Sequence, residues 1–192
     1  MKNPLSLLLG LCLLALSGCV TYSDNQLAPV GQWPLAASAQ PKPAVHLRID
    51  SQYLLNDAPQ AGGFNQAALE KRIVQVYQDS GLFSRVTTSQ QSADLYITVQ
   101  VSNHERASMA AAFLTGLTLY ILPSSASNEL SMQTEFRDSQ GELRGSVNKH
   151  ETLTTWMQLL LIFALPFSES TDNVLTRLSQ SSLEQARQQS LI

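Results

Sequence analysis

Cysteine is nearly missing from this chain: there are two, Cys12 and Cys19, in 192 residues. Cys12 lies inside an apolar run near the amino terminus that reads as a removable leader, which leaves Cys19 alone. A lone cysteine excludes an internal disulfide and a cysteine metal cluster. Charge is scarce too, at 14% of residues where ordinary domains carry about 25%. What charge there is tilts acidic, with 12 Lys and Arg against 15 Asp and Glu, and Lys2 leaves with the leader. No basic patch is present, so nucleic acid is excluded as a partner. Catalytic signatures are missing as well. No serine sits in a Gly-x-Ser-x-Gly elbow, and Gly62-Gly63 lacks the Lys and Ser/Thr of a phosphate loop. The expectation is a protein that is not an enzyme and holds no metal or dissociable cofactor.

What is present begins with Lys2 and the run from Leu5 to Leu16. That run has signal-peptide length and falls short of the roughly 20 residues a spanning helix needs. It ends in Leu16-Ser17-Gly18-Cys19, an aliphatic residue, two small residues and a cysteine. Here the chain resembles bacterial lipoproteins. The resemblance implies removal of residues 1–18, a diacylglycerol on the Cys19 sulfur and an acyl chain on its amine. Several chains are needed for stable anchoring, because one alone binds a membrane marginally. Val20 stands where an Asp would retain an enterobacterial lipoprotein on the inner membrane. The resemblance therefore implies the outer membrane, at its periplasmic face.

Residues 19–43 carry Pro29, Pro34, Pro41 and Pro43 among Gln, Ser, Ala and Asn. They read as an extended tether; the competing reading packs part of the segment on the domain, with Trp33 as the plug. Residues 44–192 read as one domain. Val45, Leu47 and Ile49 alternate with polar residues, as do Leu95, Ile97, Val99 and Val101, which marks two strands with one buried face each. Between them Asn65 caps an expected helix whose apolar face is Leu69, Ile73, Val76 and Tyr77, ended by Gly81. Leu82 to Val86 reads as a short strand. Leu130 to Phe136 and Leu143 to Thr154 flank the turn Asp138-Ser-Gln-Gly141, which makes a hairpin. A polar amphipathic helix over 171–189 closes the chain. Strands and helices do not alternate strictly, so the expected class is α+β, a small mainly antiparallel sheet with packed helices.

Two stretches, 107–122 and 156–167, contain no charged residue. They read as apolar helical inserts. The direction of the 94–102 strand and of the hairpin brings both out at one end of the sheet, where they are expected to pack on each other. Ser108, Ala112 and Gly116 form a stripe of small residues that would let another backbone approach, with Leu117 beside it. The second insert brings Trp156 and Leu160. Three readings stay open. The inserts could complete the core, form an exposed tip for a protein partner or another copy, or enter a membrane, where Trp156 and Tyr120 suit the interface. Ala112, Gly116, Leu117, Trp156 and Leu160 are the candidate partner or membrane surface.

The pair of inserts around a hairpin resembles a pattern in small uncharacterised proteobacterial lipoproteins, over about Asp94 to Phe167. The wider layout is similar to outer-membrane lipoproteins that activate peptidoglycan synthases or assist secretion. Neither likeness brings an activity with it; the acylation site, the tether and the paired inserts point to an envelope-accessory binding or assembly module, bound to membrane lipid through Cys19 and to an envelope protein or a second copy through the inserts. The alternative is a structural element that inserts into the membrane or oligomerises. A hydrolase or metal site would have to use His104-Glu105 and His150-Glu151, which the same geometry places near one end of the sheet; His46 reads as solvated.

Overall fold

The computed structural model describes residues 18–35 and 41–192. The expected leader lies outside them except for Gly18, and so do residues 36–40. One sheet organises the rest. Its strands are β1 (Cys19–Ser23), β2 (Ala44–Leu55), β3 (Ala58–Gln60), β4 (Arg85–Thr87), β5 (Leu95–Ala107), β6 (Ser124–Asp138) and β7 (Leu143–Met157). The spatial order is β1-β7-β6-β5-β2-β3, with β4 beside β2. Two pairings, β2 with β5 and β2 with β4, are parallel and the others are antiparallel. The α+β class with a mainly antiparallel sheet is what the structure has.

The parallel pair needs a crossover, and α1 (Gln66–Asp79) supplies it. Asn65 caps α1 by accepting from the Ala68 amide at 3.1 Å, which satisfies one of the amides left without an intrahelical partner. Gly81, at φ 75°, then takes the left-handed turn that the exit requires. The remaining helices are α2 (Met109–Leu117), a 3₁₀ helix (Leu159–Phe167) and α3 (Thr171–Gln188). Helices α1 and α3 cover the same face of the sheet. Leu69, Ile73 and Tyr77 from α1 and Val174, Leu178 and Leu183 from α3 meet the inward residues of β2, β5, β6 and β7 in one core. Each large apolar side chain buried there contributes about 1.5–3 kcal/mol of transfer free energy.

Among the described residues, no helix covers the opposite face of the sheet. Gln100, Ser102, Glu129, Ser131, Gln133 and His150 line a shallow polar trough of about 380 Å³ on it.

The amino-terminal segment differs from the expected tether. Residues 19–23 form an edge strand, with Cys19 opposite Met157 and Ser23 opposite Leu153. Beyond it Leu27, Val30 and Trp33 pack half-buried on the core, and Leu35 is buried with its amide bonded to the Ser80 carbonyl at 3.1 Å. The physical reason is apolar spacing. Val20, Leu27, Val30, Trp33 and Leu35 give the segment surface to bury, and Glu151 fixes its path. The Glu151 carboxylate, buried, accepts from the Gln26 amide at 3.2 Å and the Leu27 amide at 3.0 Å. Residues 19–35 thus pair with the sheet and pack on the core, with Trp33 half-buried among them.

Candidate functional site

Strands β5, β6 and β7 run past the helical layer, and the end they reach carries both inserts. Ser108 starts α2 by accepting from the Ala111 amide at 3.2 Å. The helix is short because Leu119 and Tyr120 adopt left-handed backbone at φ 50° and 63°, a conformation that costs a non-glycine residue about 1–2 kcal/mol. Bonds from the Leu119 amide to the Gly116 carbonyl (3.1 Å) and from the Tyr120 amide to the Thr115 carbonyl (2.8 Å) hold the reversal. The second insert leaves β7 at Met157. Its run of bulky residues contains Pro166, whose ring blocks α-helical bonding, and the helical insert expected here takes the 3₁₀ form.

The inserts are neighbours, as the strand directions required: the Leu159 amide donates to the Tyr120 carbonyl at 2.9 Å. They do not bury one another. Thr115 is the buried residue of α2, and the 3₁₀ helix has none. Of the fourteen large apolar side chains exposed among the described residues, twelve belong to the inserts. Phe163 and Phe167 are each 82% exposed and Leu119 is 72% exposed. The reading in which the inserts complete the core is therefore overturned: that core is closed by α1 and α3. Nor does the small-residue stripe receive a backbone. A Cβ on Gly116 would meet nothing within 4 Å, Ala112 is half-buried, and Ser108 serves as a cap.

Of the expected surface residues, Gly116, Leu117, Trp156 and Leu160 are exposed on this tip. Cys19 is there too, with an exposed free thiol. Its strand ends opposite Met157, and the Gln158 amide donates to the Gly18 carbonyl at 3.1 Å. Cys19 thus lies beside the point where the 3₁₀ helix begins.

Polar and charged groups collar the tip on its sheet side. Asn56 clamps the end of β5, donating to the Ala107 carbonyl and accepting from the Ala107 amide, both at 3.0 Å. Tyr53 donates its hydroxyl to Glu105 at 2.8 Å, and that bond to a carboxylate holds the phenol above its usual range. His104 Nε2 meets the Asp57 carboxylate at 2.9 Å, in a contact too poorly angled for a hydrogen bond. Across the tip, Glu169 accepts from Arg177 at 2.8 Å, and its amide donates to the Thr21 carbonyl at 2.8 Å.

The histidines do not converge. His104 is level with Glu129, and His150 with Ser131 two strands away, so roughly 10 Å or more separates them. Glu151 points into the core instead of toward His150. Among the described residues no group of three His, Cys, Asp or Glu side chains could hold a metal. Sequence reasoning missed the amino-terminal strand and the buried role of Glu151. The second was available from parity, since Val147, Glu151 and Leu153 fall on one side of β7.

No protein-family profile matches the sequence, and no curated protein does. Among solved structures, the PelC dodecamer from Paraburkholderia phytofirmans is similar at 8% identity and a TM-score of 0.38, over 87% of this chain and 95% of that one. A DUF4136 family protein from Bacteroides thetaiotaomicron is similar at 13% identity and a TM-score of 0.32, over 90% and 96%. Likeness this distant identifies neither a family nor an activity for the chain.

Proposed function

We propose that the chain is an acylated lipoprotein of the bacterial envelope, an accessory binding or assembly module and not an enzyme, with the apolar tip as its contact surface. The observation that carries this reading is a coincidence of place. The cysteine of the Leu16-Ser17-Gly18-Cys19 motif and the two charge-free inserts occupy the same end of the sheet. A patch of that size rarely stays exposed without a role. Acyl chains on Cys19 orient the domain with its tip toward the membrane and its polar sheet face available to other envelope components. With β1 hydrogen-bonded along β7, the orientation is fixed by the sheet and not by a loose leash. The anchoring bilayer is the outer membrane, at its periplasmic face, since Val20 follows the cysteine.

Mass spectrometry of the protein extracted from envelopes tests the anchor. The expected product begins at Cys19 and carries a diacylglycerol and one further acyl chain. A product that keeps Met1, or begins elsewhere, sinks the reading. Crosslinking in cells tests the surface. Leu117→Asp and Leu160→Asp are expected to remove the envelope crosslinks of the wild type. If both variants fold and every crosslink survives, the tip is not the contact surface.

A further inference from the structure

We infer that the occupant of the tip is lipid: α2 and the 3₁₀ helix sink into the same leaflet that holds the Cys19 acyl chains, so that anchor and inserts make one membrane footprint. The inference rests on the lipoprotein reading for the position of the acyl chains. Its other supports are in the fold.

The first is the distribution of exposure. A protein partner covers one face of a helix, and a helix adapted to it keeps a polar face for solvent. Here Met109, Ala110, Phe113, Leu114, Gly116 and Leu117 make one exposed arc of α2 that contains no polar side chain, while Thr115 is buried and Ala111 and Ala112 are half-buried on the opposite side. The 3₁₀ helix has no buried residue and no charged one. An outward arc with no polar side chain left for water suits a fluid apolar solvent that closes on it, which the acyl region of a bilayer is.

The second is the boundary. Where the inserts rejoin the sheet, apolar residues give way at once to Asp57, His104, Glu105, Arg106 and Glu169. Trp156 of β7 stands opposite Val20 of β1, and Tyr22 lies two residues further from the inserts, opposite Thr154, each aromatic half-exposed. Aromatic residues with a polar edge, followed by charge, are the order found from the inside of a membrane interface outward.

The third is depth. Nine residues of helix extend about 14 Å, close to half of a hydrocarbon core of roughly 30 Å. No helix among the described residues is long and apolar enough to cross a membrane. The tip fits one leaflet, and the acyl chains of a lipoprotein also enter one leaflet.

The chain has two tryptophans, Trp33 and Trp156, so Trp33→Phe leaves Trp156 as the sole reporter. The mature chain from residue 19, with Cys19→Ser to remove the acyl chains, is mixed with vesicles of phosphatidylethanolamine and phosphatidylglycerol bearing brominated acyl chains. The expected result is flotation with the vesicles and quenching of Trp156. Leu117→Asp with Phe163→Asp is expected to lower the bound fraction at least tenfold while the circular dichroism and Tm in buffer stay unchanged. Protein that remains unbound with Trp156 unquenched overturns the inference, as does a double variant that floats as well as its parent. So does sedimentation as a concentration-dependent oligomer that the two Asp substitutions abolish without any vesicle binding, which assigns the tip to a second copy. Failure of the two readings is distinguishable. An acylated Cys19 without vesicle binding by the tip removes this inference alone, whereas vesicle binding with an unprocessed amino terminus removes the lipoprotein reading and leaves the tip in lipid.

Discussion

Two regions of this molecule are built from leucine, isoleucine and phenylalanine, and they have opposite fates. Between the sheet and helices α1 and α3, residues such as Ile97, Val99, Phe136 and Leu178 are wholly buried. On the tip, Leu117, Phe163 and Phe167 face outward. The difference lies in what alternates with them. Where the core strands are buried, as over Val45–Ile49 and Ile97–Val101, polar residues alternate with apolar ones, so burying one face still leaves the other solvated. The inserts are charge-free throughout and too short to fold over the sheet. Apolar content alone therefore says little about stability; its period decides whether the chain satisfies it internally.

The sharpest way to break this contrast is to truncate one side chain in each region. Leu178→Ala is expected to lose about 2–5 kcal/mol, the usual cost of a cavity left by a buried leucine. Phe163→Ala removes a larger side chain and is expected to change stability by no more than about 0.5 kcal/mol, as surface substitutions do. Urea unfolding of the unacylated chain in detergent-free buffer measures both. A loss at Phe163 comparable to that at Leu178 would mean that the tip is packed in solution, and the contrast would be gone.

Glu151 marks the next largest effect, and it tests whether the amino-terminal segment belongs to the core region or only lies on it. Glu151→Ala removes the acceptor of two backbone amides, and bonds to a charged group contribute about 1.5–3 kcal/mol each before water replaces them. The expected result is a loss of about 2 kcal/mol, together with new proteolytic cleavage between residues 24 and 35. Destabilisation without that cleavage would place the role of Glu151 elsewhere.

The elements legible in the sequence were those whose pattern is local. The alternation in β2 and β5, the Asn65 cap and the amphipathic stripe of α3 each state their own structure. So does the Asp138 to Gly141 turn, and the meeting of the two inserts followed from strand direction alone. What could not be read depends on partners distant in sequence. Cys19–Ser23 becomes a strand because the end of β7 offers an unpaired edge 130 or so residues later. The prolines around it point to an extended leash, and only the burial of Leu27, Val30 and Leu35 overrides them. Residues Asn103 to Ala107 continue β5 without any alternation, because β6 pairs with their backbone irrespective of side chain. The candidate surface was legible as composition, since charge is absent from it; its exposure was not, because composition does not say whether a neighbour exists.

The smallest expected effect concerns Glu169, at the seam between the regions, where the 3₁₀ helix hands over to α3. Burial opposes its charge. Against that, hydrogen bonds from Arg177, the Ser170 amide and Asn173, with the Arg177 charge, hold the carboxyl below its ordinary value of 4.5. A group whose pKa is lower in the folded state stabilises that state at pH above the unfolded value, and the contribution fades as pH falls through the folded one. The seam is therefore intact at neutral pH and weakens on acidification below about 4.5. Since Arg177 also donates to Ser23 at 3.3 Å, β1 is expected to loosen with it. The effect on global stability is about 1 kcal/mol or less, the usual range for a pair this near the surface. Hydrogen exchange at the Thr21 and Glu169 amides, followed from pH 7 to pH 3.5 and corrected for intrinsic rates, reads it directly. Protection that falls in the wild type but is already low and flat in Glu169→Gln is the expected pattern. Equal, pH-independent protection in both would show that the backbone bonds alone hold the seam, and that the tip is joined to the core without help from charge.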